Sequence, residues 1–273
     1  MTKSARIYIT GSGGILGRHT CKAISELAPH SKVLRNTADL TDLAAITRAI
    51  AAAGPLDLVI HLAALVPVDA VQDDPARGYA VNAGGTINLL AALAQAEVKT
   101  ERQARMLYCS SGHVYASQDR PICENDPTEP VSIYGKSKLL GEQAAREICA
   151  DTGRSLCVSR LFSIHDPAQQ GKYLRPALTK RLADADPETP FELFGADSLR
   201  DFLTAKEAAD ILARLAFSEH QDVVNVGSGQ PKTVAEFAQT LAPFPLNIKK
   251  KGTPNTLVPD VSLLNKYLGE VHD

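Results

Sequence analysis

Arg6-Ile7-Tyr8-Ile9-Thr10-Gly11-Ser12-Gly13-Gly14-Ile15-Leu16-Gly17 is the stretch that decides the fold. Its first five residues have the pattern of a short strand, and a glycine-rich turn follows that opens a helix. Glycine has no Cβ, so the backbone of such a turn can approach a pyrophosphate, and the free N–H groups at the start of the helix favour that negative charge. The stretch therefore predicts a strand, a turn and a helix that bind a dinucleotide.

The spacing of the glycines distinguishes between subtypes of this turn. The tighter pattern G-x-G-x-x-G fails because Ser12 or Leu16 falls where a glycine is required, whereas the wider pattern T-G-x-x-G-x-x-G fits. No Gly-Lys-Ser/Thr is present in the turn, so it is not the phosphate loop of a nucleoside triphosphatase. The predicted cofactor-binding residues of the turn are Gly11, Gly14, Ile15, Leu16 and Gly17.

The end of the second predicted strand distinguishes between the two nicotinamide dinucleotides. Proteins that bind NAD carry an Asp or Glu there for the ribose hydroxyls. This strand ends without an acid, and its Arg35 can pair with a 2′-phosphate. The sequence therefore favours NADP(H) over NAD(H), unless Arg35 is an ordinary surface charge. Asp39 and Leu40 are expected beside the adenine, and Asp42 is expected to cap the next helix.

Strand-like and helical stretches alternate along most of the chain. Short β-rich runs lie at 6–10, 32–35, 57–61, 105–109, 155–161 and 223–226, with helical patterns at 15–28, 41–53, 75–97, 134–151 and 204–218. This alternation predicts an α/β fold, a Rossmann-type doubly wound parallel sheet. Two proline-rich pieces interrupt it, so we expect a dinucleotide-binding domain of 1–164 with 197–227 and a small discontinuous substrate-binding lobe of 165–196 with 228–273.

The composition excludes several classes of protein. The chain has 273 residues, 29 Lys and Arg against 31 Asp and Glu, and 44% hydrophobic residues, which excludes disordered and fibrous chains. The near-neutral charge argues against a nucleic-acid partner, and we interpret the basic run Lys249-Lys250-Lys251 as a solvated turn. The sequence shows no secretory signal and no apolar run of the roughly 18 residues that a membrane helix needs, so we expect no membrane association and a cytoplasmic location.

The five cysteines carry no predicted role. They are odd in number and form no Cys-x-x-Cys pair, so we expect reduced thiols, mostly in the core. No metal site is predicted.

Tyr134-Gly135-Lys136-Ser137-Lys138 is a Y-x-x-x-K sequence at the start of a predicted helix. Four residues are about one turn, so Tyr134 and Lys138 share a helix face. An ammonium at that distance favours the phenolate, and a tyrosine with a lowered pKa can exchange a hydroxyl proton near neutral pH. Ser111, at the end of the fourth predicted strand, can hydrogen-bond the same substrate oxygen as Tyr134.

Eight short motifs occur in order along the chain. They are T-G-x-x-G-x-x-G at 10–17, D-L-T-D at 39–42, H-L-A-A at 61–64, V-N-A-G-G-T at 81–86, S-S-x-x-V-Y at 110–115, Y-G-K-S-K at 134–138, R-D-F at 200–202 and N-V-G-S-G at 225–229. With them the sequence resembles the extended short-chain dehydrogenase/reductases, the NAD(P)-dependent nucleotide-sugar epimerases, dehydratases and 4-keto reductases. The resemblance covers nearly the whole chain.

The resemblance implies a catalytic triad and a set of cofactor contacts. Ser111, Tyr134 and Lys138 look like the triad, and Lys138 would also hold the nicotinamide ribose. Asn82 would lie between cofactor and substrate. The residues that would line the cofactor after the third strand are Leu62, Ala63 and Ala64.

The resemblance also implies the substrate and the assembly. Arg200 would clamp the diphosphate of a nucleoside-diphosphate sugar, and Ser163 would contact substrate where the family often has Asn. The helices at 75–97 and 134–151 correspond to the pair through which the family commonly forms homodimers. Five leucines supply either that dimer face or intramolecular core: Leu89, Leu90, Leu93, Leu139 and Leu140.

Departures from the family pattern narrow the implied activity. The 4,6-dehydratases have Thr-Asp-Glu where this chain has Ser111-Gly112-His113, so dehydration is disfavoured. In the GDP-fucose synthase branch a Cys at the position of His113 transfers a proton, and His165 falls near that Cys's partner. Imidazole can exchange a proton next to a ketone, so His113 is a candidate for that role, against the alternative of a plain hydrogen-bonding residue.

Four functions remain open at this stage. The first is an NADPH-dependent reductase of a nucleotide-activated 4-keto sugar, with or without epimerisation. The second is a nucleotide-sugar 4-epimerase that retains NAD, and the third is a reductase of a non-sugar carbonyl, which the predicted diphosphate clamp disfavours. The fourth is a non-catalytic dinucleotide sensor, which the intact Tyr134 and Lys138 pair disfavours.

Overall fold

A computed structural model describes residues 4–66, 68–98 and 102–270. The strands in these ranges are β1 Arg6–Thr10, β2 Lys32–Arg35, β3 Leu58–His61, β4 Arg105–Ser111, β5 Leu156–Leu161, β6 Ser163–His165, β7 Phe191–Phe194, β8 Leu199–Thr204, β9 Val223–Val226, β10 Pro231–Thr233, β11 Ile248–Lys251 and β12 Thr256–Leu257. The helices are α1 Ile15–Leu27, α2 Leu43–Ala53, α3 Val68–Asp73, α4 Pro75–Tyr79, α5 Gly85–Glu97, α6 Ile133–Thr152, α7 Leu174–Ala183, α8 Ala205–Phe217, α9 Val234–Leu241 and α10 Ser262–Glu270. None of these helices is long and apolar enough to cross a bilayer.

The large sheet confirms the predicted fold class. Its strand order is β2-β1-β3-β4-β5-β9, and all neighbouring strands run parallel. The predicted strands agree with the structure to within two residues at either end. The largest difference is at β4, which continues to Ser111 because its last residues pair with Ser159, Arg160 and Leu161 of β5.

Successive residues of β1 point to opposite faces of the large sheet, and each face is covered by helices. Ile7 and Ile9 pack in one cluster with residues of α1, α8 and α10. Tyr8 packs in a second cluster with residues of α2, α5 and α6. Parallel strands with helices on both faces bury both sides, which is why the strands are nearly continuous apolar runs.

Three of the five leucines of the expected dimer face lie in the core. Leu89, Leu90 and Leu93 of α5 are at most 1% exposed, since they pack against the large sheet. Leu139 is partly buried against a small cluster around Tyr115, and Leu140 is 46% exposed. Of the two alternatives, Leu89, Leu90 and Leu93 therefore take that of intramolecular core, and the homodimer stays a prediction.

The helix boundaries follow local capping chemistry. Asp42 caps α2 as predicted, since its side chain accepts a hydrogen bond from the Ala45 amide at 3.0 Å. Ser132 caps α6 in the same way through Gly135. The predicted helix at 75–97 consists of α4, a π-helical turn over Ala80–Gly84, and α5.

The smaller lobe is organised around β8. This strand pairs antiparallel with β10 and parallel with β6 and β12, while β7 and β11 form a separate parallel pair. The predicted division of the chain into 1–164 with 197–227 and 165–196 with 228–273 stays a prediction. Two contacts bear on its boundaries: β8 lies within the lobe's sheet, and Tyr267 of α10 packs in the core cluster of the large sheet with α8.

The basic run Lys249-Lys250-Lys251 is part of β11, so the interpretation as a solvated turn is wrong. The run pairs with β7, where Glu192 lies beside Lys249 at 2.9 Å. Lys250 contacts Asp197 at 2.8 Å. Pairing with a strand distant in sequence, which local charge does not reveal, makes this segment extended.

A buried ion pair joins α6 to the large sheet. Glu142 of α6 is 0% exposed and Arg160 of β5 is 3% exposed. The Glu142 carboxylate accepts from Arg160 Nη2 at 2.6 Å and from Ser110 Oγ at 2.6 Å. Arg160 also donates to the Tyr115 hydroxyl, whose own proton is donated to Asn225 at 3.0 Å. Every charge in this network has a partner, as burial requires.

Replacing Glu142 with Ala should lower the free energy of unfolding by about 3–5 kcal/mol, because it leaves Arg160 charged, buried and unpaired. The matched control is E147A, an exposed position on the same helix, which should change it by no more than about 0.5 kcal/mol. Urea unfolding followed by circular dichroism measures both. Equal stabilities of the two variants would contradict the role given to the ion pair.

Candidate active site

A cavity of about 1080 Å³ lies at the carboxyl ends of the parallel strands and extends along the lobe. Ligands of open α/β sheets bind at this edge. Most of the predicted site residues line this cavity: Gly11, Gly14, Ile15, Leu16, Gly17, Asp39, Leu40, Leu62, Ala63, Ala64, Ser111, His113, Tyr134, Lys138, Ser163 and Arg200. Two predicted cofactor residues, Arg35 and Asn82, are not among the lining residues.

The first turn has glycines where its backbone packs most closely. Gly11 has a φ of +68°, and a Cβ there would lie 2.7 Å from the Ala63 amide nitrogen. A Cβ on Gly17 would lie 2.1 Å from the Gly11 carbonyl oxygen. Any side chain at these two positions would displace the backbone, so the fold requires both glycines.

The start of α1 fits a bound pyrophosphate. Gly14, the residue that precedes α1, provides no side-chain cap, and the first turn of the helix carries no acidic residue. Ile15 and Leu16 therefore present backbone N–H groups at the cavity, and a phosphate would satisfy them. The residues present thus fit a dinucleotide in the position that the sequence predicts.

A buried histidine joins the first turn to the residues after β3. His61 is 1% exposed, with Nδ1 2.6 Å from Thr10 Oγ1 and Nε2 3.0 Å from Thr86 Oγ1. The Thr10 hydroxyl accepts from the Ala63 amide at 3.2 Å. Burial, and to a lesser extent the Lys138 charge, lower the pKa of His61 to about 3, so the ring is neutral at physiological pH. The network positions Leu62, Ala63 and Ala64 against the glycine turn.

Asn82 has a positioning role in the structure. It is 1% exposed, and its side chain accepts from the Leu65 amide at 2.7 Å. Its amide group donates to Ser137 Oγ at 2.9 Å and to the Leu65 carbonyl at 3.2 Å. Asn82 therefore ties the loop after β3 to the helix that carries Tyr134, and its contact with cofactor and substrate stays a prediction.

The expected adenine end of the cavity is formed by the loop after β2. Asn36 accepts from the Tyr8 hydroxyl at 2.6 Å and donates to the Ala38 carbonyl at 2.9 Å. The residues from Asn36 to Leu40 line the cavity. Arg35, one residue earlier, is exposed and does not line the cavity. The sequence analysis passed over Asn36 and Thr37, although they directly follow the arginine that it chose.

The proposed catalytic groups Ser111, Tyr134 and Lys138 come together at one end of β4. Lys138 Nζ donates to the Cys109 carbonyl at 2.8 Å and lies 4.7 Å from the centre of the Tyr108 ring. Burial lowers the pKa of Lys138. Burial raises the pKa of Tyr134, and a hydrogen bond with Ser111 opposes this rise only in part. The expected lowering of the Tyr134 pKa is therefore wrong, because desolvation outweighs the attraction of nearby groups.

His113 and Arg200 form the adjoining wall. The His113 ring packs edge-on against Tyr134, with the centroids 5.6 Å apart. Burial, and then the Arg200 charge, lower the pKa of His113. Arg200 donates to the Asn255 carbonyl at 3.0 Å and to Asn255 Oδ1 at 2.5 Å. All hydrogen-bond partners of Arg200 among the described residues are neutral oxygens. Arg200 therefore does not form an ion pair with an acidic residue in this part of the chain.

The lobe supplies further lining residues that the sequence analysis did not single out for the site. They share no motif and come from segments far apart in the chain: Lys172, Tyr173, Arg175, Phe194, Phe202, Phe237 and Asn255. His165, which the sequence analysis placed near the position of the partner of the proton-transferring Cys, lines the cavity and contacts Arg175 at 3.0 Å. The hydropathy of the sequence does not distinguish these residues from residues that lie outside a binding site.

The fold and the site together define a dinucleotide-binding protein of the short-chain dehydrogenase/reductase kind. The NAD dependent epimerase/dehydratase family matches residues 7–227. The chain belongs to this family, which confirms the resemblance found in the sequence.

Several named proteins are similar to this chain. A dTDP-4-dehydrorhamnose reductase of Mycolicibacterium smegmatis is 40% identical over 51% of this chain and 41% of its own length, so the chain spans less than half of that relative. A GDP-6-deoxy-D-mannose reductase of Pseudomonas aeruginosa is 29% identical over 87% of this chain and 79% of its own. The structure of RMD from Pseudomonas aeruginosa complexed with NADPH has a TM-score of 0.83 and 25% identity, covering 97% of this chain and 91% of that one.

Replacing Gly17 with Ala should raise the dissociation constant for NADPH by roughly tenfold or more, because the new Cβ would push the turn away from its position. Gly13 is the matched control, since a Cβ there meets nothing within 4 Å and G13A should bind like the unaltered protein. Fluorescence titration with NADPH measures both. Equal losses in the two variants would contradict the close-packing argument.

Proposed function

We propose that this protein is an NADPH-dependent reductase of a nucleotide-activated 4-keto sugar. The observation that carries the proposal is the single cavity that joins the Ser111 and Tyr134 hydroxyls to a cationic lobe wall. The names of the relatives support it, because a dTDP-4-dehydrorhamnose reductase and a GDP-6-deoxy-D-mannose reductase both act, by their names, on deoxysugar nucleotides.

The reacting end of the cavity suits reduction of a carbonyl. A bound dinucleotide supplies the hydride. Tyr134, which lines the cavity, is the proton donor to the carbonyl oxygen. Ser111 lines the same cavity as Tyr134 and polarises the same oxygen. The Lys138 ammonium, held by the Cys109 carbonyl, points into the same cavity and is placed to bind the nicotinamide ribose.

The lobe half of the cavity suits a diphosphate. Among the described residues that line it between 163 and 255, the charged ones are Lys172, Arg175 and Arg200, and none is an acid. A diphosphate carries the complementary negative charge, and arginine matches its oxygens in bidentate geometry. The positive charge of this half of the cavity favours a sugar nucleotide as substrate over a non-sugar carbonyl compound.

NADP(H) is the proposed cofactor in preference to NAD(H). The end of β2 offers no acid for the ribose hydroxyls, and Arg35, Asn36 and Thr37 lie together there. The NADPH complex of the Pseudomonas aeruginosa RMD structure supports the choice. A homodimer and a cytoplasmic location stay predictions.

A second candidate is a nucleotide-sugar 4-epimerase that retains NAD. A UDP-glucose 4-epimerase of Azospirillum brasilense is 27% identical over 99% of this chain and 88% of its own length. His113 favours an intermediate possibility, a reductase that also epimerises. Its ring lies against Tyr134 in the cavity, and its lowered pKa leaves a neutral base that can remove a proton beside the ketone.

The deciding experiment measures NADPH oxidation by the purified protein with a panel of nucleoside-diphosphate 4-keto-6-deoxyhexoses. One panel member should support turnover, and Y134F should lower kcat by roughly 10²- to 10⁴-fold while it binds NADPH normally, because only the proton donor is lost. Undiminished turnover by Y134F would contradict the role of Tyr134.

The same reaction run in deuterated water separates the alternatives. Deuterium on the carbon next to the former ketone would add epimerisation and assign the proton transfer to His113, if H113N abolishes it. The epimerase would be the correct function if the protein oxidises no NADPH, purifies with a bound dinucleotide and interconverts ordinary sugar nucleotides.

Replacing Arg35 with Ala should reduce the preference for NADPH over NADH by roughly tenfold, because the 2′-phosphate loses a charged partner. The matched control is R48A, an exposed arginine on α2, which should leave the preference unchanged. The ratio of dissociation constants for the two dinucleotides is the measurement. If R35A has the same ratio of dissociation constants as the unaltered protein, Arg35 does not bind the 2′-phosphate, and other residues of this loop must determine the preference for NADPH.

A further inference from the structure

We propose that Arg175 is a second diphosphate-binding residue, oriented by His165 and placed on the wall of the cavity that also holds Arg200. The inference rests on the proposed function and adds to it a residue that none of the eight sequence motifs contains. It follows from where α7 begins, from one hydrogen bond, and from the charges around that bond.

The start of α7 brings Arg175 near the reacting end of the cavity. Arg175 is the second residue of this helix, and Tyr173, the residue that precedes the helix, lines the same cavity as Tyr134. Arg175, Tyr173 and Arg200 all line the same cavity. A substrate whose ketone reaches Tyr134 therefore lies in a cavity that both arginines line.

His165 holds the guanidinium in place. Arg175 Nη1 lies 3.0 Å from His165 Nδ1, and because arginine can only donate, Nδ1 is the acceptor and carries no proton. The His165 ring also has an apolar neighbour, because it packs on Phe237 with the ring centroids 5.1 Å apart. This bond uses one of the five N–H groups of Arg175, so a diphosphate can take others.

The positive charge of Arg175 has no carboxylate within ion-pair distance among the described residues. Asp166 is near, but its carboxylate is engaged by His19 Nε2 at 2.9 Å and by the Ala168 amide at 2.8 Å. Glu207 faces His165, yet it completes the capping box of α8 with Thr204. By contrast, Lys172 pairs with Asp73 at 3.2 Å.

A half-buried arginine that is oriented by a neutral ring and lacks an acidic partner is available to bind an anion that enters the cavity. In this cavity the anion that comes with the proposed substrate is the diphosphate. Two arginines from separate elements, α7 and β8, would then hold its two phosphates, while Tyr134 and Ser111 act on the sugar.

The test uses isothermal titration calorimetry of the full chain with dTDP, UDP and GDP, each added alone in the presence of saturating NADP⁺. The NADP⁺ blocks binding of these probes to the dinucleotide site. The variants are R175A and R175K, with K180A as the matched control because Lys180 is an exposed cation on the same helix outside the cavity.

R175A should raise the dissociation constant of the tightest nucleoside diphosphate by roughly 10- to 100-fold, R175K should recover part of the loss, and K180A should match the unaltered protein. The dissociation constant for NADP⁺ should not change in any of them. The loss should be smaller for the corresponding monophosphate. Equal binding by R175A and the unaltered protein would overturn the inference while leaving the proposed function intact. Failure of all three probes to bind the unaltered protein would overturn both.

His165 has its own test. H165N keeps an acceptor near the position of Nδ1 and should bind the nucleoside diphosphate nearly as well as the unaltered protein, whereas H165A should bind more weakly. A loss of similar size in both variants would indicate general damage to the lobe and would contradict the positioning role.

Discussion

The close approach of the first turn to the residues after β3 is the constraint on which the site depends. Gly11 lies so near Ala63 that no side chain fits between the two backbones, and Gly17 approaches Gly11 still more closely. This contact sets where α1 begins and therefore where its free N–H groups point. The buried Thr10, His61 and Thr86 side chains hold the contact from one side. The dinucleotide cradle is thus a consequence of backbone packing rather than of any charged side chain.

A second set of contacts connects that cradle to the reacting groups. Asn82 ties the loop after β3 to Ser137, on the helix of Tyr134 and Lys138. One turn further along the same helix, Glu142 is bound to Arg160 and Ser110 beneath the site. The helix is therefore attached to the sheet at two levels. These contacts also bury the reacting groups. Burial raises the pKa of Tyr134 and lowers the pKa of Lys138.

Prediction from the sequence succeeded where a residue's role depends on its near neighbours in the chain. The strands of the large sheet are apolar on both faces, so their positions were found to within two residues. The Asp42 side chain caps α2 by accepting from the amide of Ala45, three residues further along the chain, and this role was predicted correctly. Prediction failed for Lys249 to Lys251, because only the pairing of β11 with β7 makes that charged segment a strand. The buried position of Leu89, Leu90 and Leu93 likewise depends on packing against the sheet.

By itself the sequence determined the α/β class, the glycine turn, and the position of Tyr134 and Lys138 on one face of a helix, because spacing along a strand, a turn or one helical turn dictates which of these neighbouring residues lie side by side. Only the tertiary structure decided the direction of the Tyr134 pKa, the neutral partners of Arg200 and the pairing of Arg175 with His165. The physical reason is that desolvation and charge pairing depend on every group within a few ångströms, and the chain brings those groups from distant segments.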